Sequence, residues 1–347
     1  MNNINVSSIT KLETPYEIKN KYNINYDDIL FINNSRTIIN EIISGVNEKK
    51  MIIVGPCSIH NYEECITYAS FIKESIQEFP NIFIVIRLYF EKPRTIMGWK
   101  GYLYDPDLDN TNDISKGLIE TRKLLIEITK MRIPIATEFL DTIIPQYIDD
   151  LISFGCIGAR TVESQLHRQL ASGLSMAIGF KNRTDGNKEI AINAMLASKE
   201  SHSFLGVNIN GRASIVNTNG NKNTCIVLRG DCVNGSNFDC ENIAITQKFL
   251  DSKNLNKGIV IDVSHDNTLE NGKKDYKKQI DNIELLLNTW KEHSNICGIM
   301  IESNLNEGKQ SVNDKPLKYG VSITDGCIDK NSTYNVLNII NKNIIKM

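Results

Sequence analysis

Eight short runs of apolar, largely β-branched residues punctuate the chain, and a potential helix separates each from the next. They are Met51–Gly55, Ile82–Arg87, Ile133–Thr137, Cys156–Ala159, Ser175–Phe180, Thr224–Leu228, Gly258–Val263 and Cys297–Ile301. Apolar residues at consecutive positions suit strands buried on both faces, as in a parallel sheet. Between the runs, Ile114, Leu118, Leu125 and Ile128 fall near one helical face over 114–131. Ile148, Leu151 and Ile152 mark another over Pro145–Phe154, with Pro at its start and Gly155 just past its end. Eight strands alternating with helices predict a closed (β/α)8 TIM barrel. An open doubly wound sheet is the alternative, but no GxGxxG turn follows the first run.

Two segments do not fit eight plain units. Residues 1–48 precede the first strand and carry a helix-like stretch over Tyr26–Ile43. They are read as an N-terminal extension for oligomer and regulatory contacts, with 49–347 as the catalytic barrel. Residues about 202–224 alternate apolar and polar positions around Asn-Gly, through Phe204–Asn208 and Arg212–Val216. That pattern predicts a β-hairpin inserted between strands five and six.

Composition narrows the function classes. With 347 residues, 39 Lys+Arg against 41 Asp+Glu, the net charge is −2, which argues against a bulk nucleic-acid or membrane-surface binder. No apolar stretch approaches the roughly 20 residues of a membrane span, and residues 1–25 lack the apolar core of a secretory signal. The eight cysteines are irregularly spaced with no CxxC pair, so they read as reduced thiols in a cytoplasmic protein.

The ends of the predicted strands carry the chemistry. They run into Cys57-Ser58, Arg87 with Lys92-Pro-Arg94-Thr95, Glu138, Arg160-Thr161, Lys181, Arg229, Ser264-His265 and Glu302. A single charge leaving a strand is more often a solvated loop residue. A charge at every strand end is different, because a barrel gathers those ends on one face. Arg87, Lys92, Arg94, Arg160, Lys181 and Arg229 then converge on one mouth, which implies a small polyanion such as a phosphorylated sugar or acid. Cys57, His265 and Glu302, with Asp325 as a fourth member, form a mixed S/N/O donor set for a divalent ion such as Mn, Fe, Co or Zn. Taken singly, the Cys also reads as a small buried hydrophobe and the His as a general base or a core residue.

At this point the motifs resemble a known family. Gly55-Pro-Cys-Ser-Ile-His60, Tyr89-Phe-Glu-Lys-Pro-Arg-Thr95, Gly98-Trp-Lys-Gly101, Glu138-Phe-Leu-Asp141 and Gly158-Ala-Arg-Thr161 resemble the type I 3-deoxy-D-arabino-heptulosonate 7-phosphate (DAHP) synthases. So do Gly179-Phe-Lys-Asn182, Leu228-Arg-Gly230, Ser264-His265, Glu302-Ser303 and Ser322-Ile-Thr-Asp325, in the same order along nearly the whole chain. The resemblance implies condensation of phosphoenolpyruvate with D-erythrose 4-phosphate and water, the first step of the shikimate route to aromatic amino acids. By similarity, Cys57, His265, Glu302 and Asp325 hold one divalent metal. Arg87, Lys92, Arg160, Lys181 and Arg229, with Gly158, Ala159 and Glu138 nearby, take phosphoenolpyruvate, and Lys92-Pro-Arg94-Thr95 receives erythrose 4-phosphate. Lys92, Cys57, His265 and Glu138 are the expected catalytic residues.

The resemblance also implies a homodimer or homotetramer and inhibition by an aromatic amino acid. Gln146, Ser175 and Gly206 match positions lining the family's inhibitor cavity, and the Gly points to tyrosine. Three residues depart from the family pattern: Arg183 stands where Gly is usual, and Asp231-Cys232 where Gly-Lys is usual. A sister synthase using arabinose 5-phosphate, a non-catalytic regulatory barrel and a metal-dependent sugar-phosphate aldolase remain as alternatives.

Overall fold

The computed structural model describes residues 2–94, 96–290 and 292–344. Its barrel strands begin with β1 Lys50–Gly55, β2 Ile82–Arg87, β3 Ile135–Glu138, β4 Phe154–Ile157 and β5 Ala177–Lys181. An antiparallel hairpin, β6 Ser203–Val207 and β7 Ala213–Asn217, comes before β8 Thr224–Leu228 and β9 Ile259–Asp262. A two-residue pair, β10 Leu269–Glu270 and β11 Lys273–Lys274, leads on to β12 Ile296–Glu302, which pairs with β1 and closes the ring. The helices are α1 Pro15–Lys21, α2 Tyr26–Ser44, α3 Tyr62–Glu78, α4 Ile114–Lys130, α5 Pro145–Ile148, α6 Gln165–Gly173, α7 Glu189–Lys199, α8 Cys240–Ser252, α9 Lys278–Trp290 and α10 Lys330–Ile344. The eight-stranded parallel barrel matches the sequence expectation; the open sheet does not.

Continuous apolar runs are explained by two separate cores. Met51 and Ile53 of β1 point into the barrel with Val85, Phe154, Val227 and Met300. Ile52 and Val54 point outward and pack with Ile84, Ile86, Leu118 and Leu125 under the helices. Successive residues of one strand therefore serve different layers. Gly179 keeps the inner layer open, since a Cβ there would lie 2.8 Å from the Phe154 ring.

Helix α2 closes the N-terminal end of the barrel. Asn25 caps it, exchanging hydrogen bonds with Asp28, and Gly45 ends it at φ 77°. Ile39, Ile42 and Ile43 join the inner core, so this part of the N-terminal extension is the floor of the barrel. Helix α1 instead reaches outward. Tyr16 N–H donates to the Ile209 carbonyl in the hairpin turn at 2.8 Å, and the Tyr147 hydroxyl on α5 donates to the Glu13 carbonyl at 2.9 Å.

Local departures from the sequence expectation have physical causes. β3 begins at Ile135, after Pro134, which has no N–H to give a strand ladder. β4 ends at Ile157, which frees Gly158 and Ala159 for the loop. The helix expected over Pro145–Phe154 stops at Ile148 and continues as one 3-10 turn. Its carbonyls are met by arginines instead: Arg122 donates to Tyr147, and Arg36 to Asp149 and Ile152. The hairpin turns over residues 208–212, with Gly211 at φ 71°. All eight cysteines are free, and among the described residues no helix is long and apolar enough to cross a membrane.

If α2 is core, truncating its inner face must cost stability. Ile39→Ala is expected to destabilise by about 3 kcal/mol in urea unfolding, whereas Ile29→Ala, at a site 42% exposed, should stay within about 0.5 kcal/mol. Near-equal effects would mean that α2 packs only loosely.

Candidate active site

The strand ends converge on a cavity of about 270 Å³ at the C-terminal mouth of the barrel. Of the expected site residues, Arg87, Lys92, Arg94, Glu138, Ala159, Arg160, Lys181, Arg229, His265 and Asp325 all line it. Thr95 lies outside the described residues. Gln146, Ser175 and Gly206 do not line it; they sit on α5, in the α6–β5 turn and on β6.

The cations differ in how far they are committed. Arg87 is fully buried at the end of β2. Its Nη1 donates to the carbonyls of Pro56 and Cys57, its Nη2 to Glu302 Oε1 at 2.9 Å, and its plane rests 3.7 Å above the Tyr89 ring. Only Nε is without a partner, so Arg87 mainly braces the Cys57 and Glu302 strand ends. Lys181 Nζ lies 3.4 Å from Glu138 Oε2 and 3.7 Å from Asp262 Oδ2. Arg229 pairs with Asp266, which also takes Lys274 at 3.1 Å. Arg160 is exposed at the mouth and makes no ion pair among the described residues. Arg94 Nε is tied to the Trp99 carbonyl at 2.7 Å.

Glu138 is buried, which alone would favour its neutral form, but Lys181, Lys92, Arg87 and His265 together hold its pKa below the usual carboxylate value. It is an anion inside a ring of cations. Gly158 permits this packing, because a Cβ there would lie 2.4 Å from Glu138 Oε1.

Beside the cationic cavity, Cys57, Glu302 and Asp325 bring donor atoms within 4.8 Å of one another. His265 Nε2 stands 3.6 Å from Glu302 Oε1, on the edge of the same cluster. Burial and the Glu302 charge push the Cys57 thiol up, while Lys92, 3.2 Å from its Sγ, partly offsets them. A buried thiol crowded by carboxylates needs a cation to become a thiolate ligand, and this donor set fits a divalent transition ion. Second contacts fix the ligands: Ser58 and Thr324 hydroxyls meet at 2.8 Å between the Cys57 and Asp325 loops, and Gln279 bonds both backbone groups of Glu302.

Sequence reasoning missed Tyr89, Asp262, Asp266 and Lys274. Asp262 did leave a signal, an acid inside the apolar run Gly258–Val263. The departures from the family pattern leave the mouth intact. Arg183 pairs with Asp185 and Glu163, and Asp231 accepts the Val233 and Asn234 N–H groups of its own turn.

Next to Lys92, Glu91 is buried and accepts the Leu140 and Asp141 N–H groups at 3.4 and 3.2 Å. Burial pushes its carboxyl up to about 8; the Leu140 N–H opposes the shift and Asp141 adds to it. In the unfolded chain the same group titrates near pH 4 to 4.5. Between those values the folded state holds the extra proton, so this group's contribution to stability falls as pH rises from about 4.5 to 8. Glu91→Gln should therefore gain stability relative to the wild type from pH 5 to pH 8 in thermal melts. A pH-independent difference would refute a neutral Glu91.

Comparison with known proteins agrees with this geometry. Residues 17–338 match the DAHP synthetase I family. The Tyr-sensitive phospho-2-dehydro-3-deoxyheptonate aldolase of Escherichia coli (strain K12) is 40% identical over 99% of this chain and 96% of its own. The phenylalanine-inhibited enzyme of Saccharomyces cerevisiae is 44% identical over 88% of this chain and 84% of its own. The solved structure of phospho-2-dehydro-3-deoxyheptonate aldolase from Francisella tularensis SCHU S4 superposes with a TM-score of 0.95, at 41% identity and 98% coverage of both chains. With the family profile spanning most of its length and relatives this similar end to end, the chain belongs to the DAHP synthetase I family.

Proposed function

We propose that this chain condenses phosphoenolpyruvate with D-erythrose 4-phosphate and water, giving DAHP and inorganic phosphate. The observation that carries the reading is a cavity lined by Arg160, Lys181, Arg229, His265 and Asp325, with Cys57 and Glu302 beside it within donor distance of Asp325. A phosphorylated enol acid needs the first group, and an aldehyde to be activated needs the second.

In this reading Arg160, Lys181 and Arg229 bind the phosphate and carboxylate of phosphoenolpyruvate, with Arg87 bracing the floor beneath. Arg94, with Thr95 beyond the described residues, takes the erythrose phosphate. Fixing both phosphates brings C3 of the enol against the aldehyde carbon and removes much of the entropic barrier. Cys57, His265, Glu302 and Asp325 would hold a divalent ion, which when bound would supply Lewis acidity to the aldehyde carbonyl. Lys92, whose Nζ is 2.9 Å from the Cys57 carbonyl, donates a hydrogen bond or proton to the developing alkoxide. As C3 attacks, positive character grows at C2; Glu138, an anion, orders the water that adds there. Phosphate then leaves.

The ion is Mn, Fe, Co or Zn by donor type. Tyrosine is the inhibitor favoured by Gly206, which lies on the hairpin that α1 touches; relatives of this chain carry the names Tyr-sensitive, phenylalanine-inhibited and Trp-sensitive. A cytoplasmic homo-oligomer completes the reading. The arabinose 5-phosphate alternative is disfavoured by the Lys92-Pro-Arg94 segment and by the names of the relatives.

Purified, reduced enzyme should consume phosphoenolpyruvate absorbance with erythrose 4-phosphate, stop on chelation and resume with Mn²⁺. No turnover with any divalent ion would favour the regulatory barrel, and faster turnover with arabinose 5-phosphate the sister synthase. Cys57→Ala should lose metal-dependent turnover, and full activity would sink the ligand assignment. Tyrosine should inhibit the wild type; inhibition by phenylalanine alone would overturn the Gly206 reading.

A further inference from the structure

Asp262 ends β9 with no exposed surface. Its Oδ1 accepts the Ser264 hydroxyl at 2.6 Å and the Ser264 N–H at 3.1 Å, a local turn that points the carboxylate back toward the loop. Its Oδ2 is shared. It lies 2.9 Å from His265 Nδ1 and 3.7 Å from Lys181 Nζ as a charge contact without a hydrogen bond, while His265 Nδ1 meets the Ser264 hydroxyl at 2.7 Å. His265 is itself held at φ 53°, a conformation that L residues seldom adopt.

One carboxylate oxygen thus touches a proposed metal ligand on one side and a proposed phosphoenolpyruvate ligand on the other. We infer that Asp262 is a positioning residue that couples the metal site to the phosphoenolpyruvate site. The inference rests on the synthase reading above. With the Ser264 hydroxyl donating to Asp262, His265 Nδ1–H donates to that hydroxyl beside the carboxylate and Nε2 turns toward Glu302 and the ligand cluster, as carboxylate-backed histidines do at metal sites. While the anion site is empty, Lys181 divides its charge between Glu138 and Asp262. An incoming phosphate or carboxylate draws Lys181 toward itself and leaves Oδ2 to His265 alone. His265 then becomes a stronger donor, so anion binding tightens metal binding. Linkage requires the reverse effect to be equal.

The test is Mn²⁺ affinity, read from the free-ion EPR signal, with and without phosphoenolpyruvate, and phosphoenolpyruvate affinity by calorimetry with and without Mn²⁺. In the wild type each ligand is expected to tighten the other by the same severalfold factor. Asp262→Asn should weaken Mn²⁺ roughly 10- to 100-fold and bring the linkage factor close to one. Ser264→Ala removes the hydroxyl that meets His265 but keeps the shared Oδ2, so it should weaken Mn²⁺ binding yet retain the linkage, and loss of linkage there overturns the inference even if circular dichroism shows that Asp262→Asn does not fold. Retention of wild-type linkage or near-wild-type Mn²⁺ affinity in Asp262→Asn would overturn the inference, as would loss of linkage in Ser264→Ala. A wild type that binds both ligands without mutual effect defeats the coupling alone. A wild type that binds neither defeats the synthase reading itself.

Discussion

Arg87, Glu302, His265, Asp262, Lys181 and Glu138 form a line of ionisable side chains across the top of the barrel. Consecutive members lie 2.9, 3.6, 2.9, 3.7 and 3.4 Å apart. A closed parallel barrel forces this proximity, because every strand delivers its last residue to the same rim. At an effective dielectric of about 20, a pair such as Lys181–Glu138 gains about 5 kcal/mol of attraction. Removing two ions from water costs several kcal/mol each. The attraction does not exceed that cost, so the line does little for stability. What it does is hold charged groups ready at the barrel mouth, with Arg87 Nε and Asp262 Oδ2 left without a hydrogen bond.

Much of the surrounding structure serves that constraint. Tyr89 puts a ring face under Arg87, with the Lys181 ammonium 5.2 Å from its centre. Gly158 makes way for the Glu138 carboxylate, and Gln279 clamps the strand end that carries Glu302. At the opposite end α2 fills the barrel with Ile39, Ile42 and Ile43, so the rim is built on a packed column and not over a pore. The catalytic face is polar because the floor is not.

The barrel was legible in the sequence because buried strands leave continuous apolar runs, and Ile82–Arg87 and Thr224–Leu228 were located without error. Errors appeared where side chains override backbone pattern. Pro134 delayed β3, and Arg122 and Arg36 took the carbonyls that a longer α5 would have used. The site residues were legible because they stand at or just beyond the ends of the apolar runs. Asp262 was not, since the apolar run reads on through it to Val263 and it acts through His265 and Lys181, a relation that only the closed barrel creates. Arg87 was legible as a cation but not as a brace, because its partners at Cys57 and Glu302 come from strands remote in sequence. Lys274 was hidden for a similar reason: it reaches the mouth from the short β11.

The central claim is that one mouth holds a divalent ion and an enol phosphate side by side. An anomalous difference map from crystals grown with Mn²⁺ and phosphoenolpyruvate tests it most directly. The account predicts one manganese peak bounded by Cys57, His265, Glu302 and Asp325, with phosphoenolpyruvate on Arg160, Lys181 and Arg229 beside it. Manganese bound away from those four side chains, or phosphoenolpyruvate bound outside the barrel mouth, would contradict it.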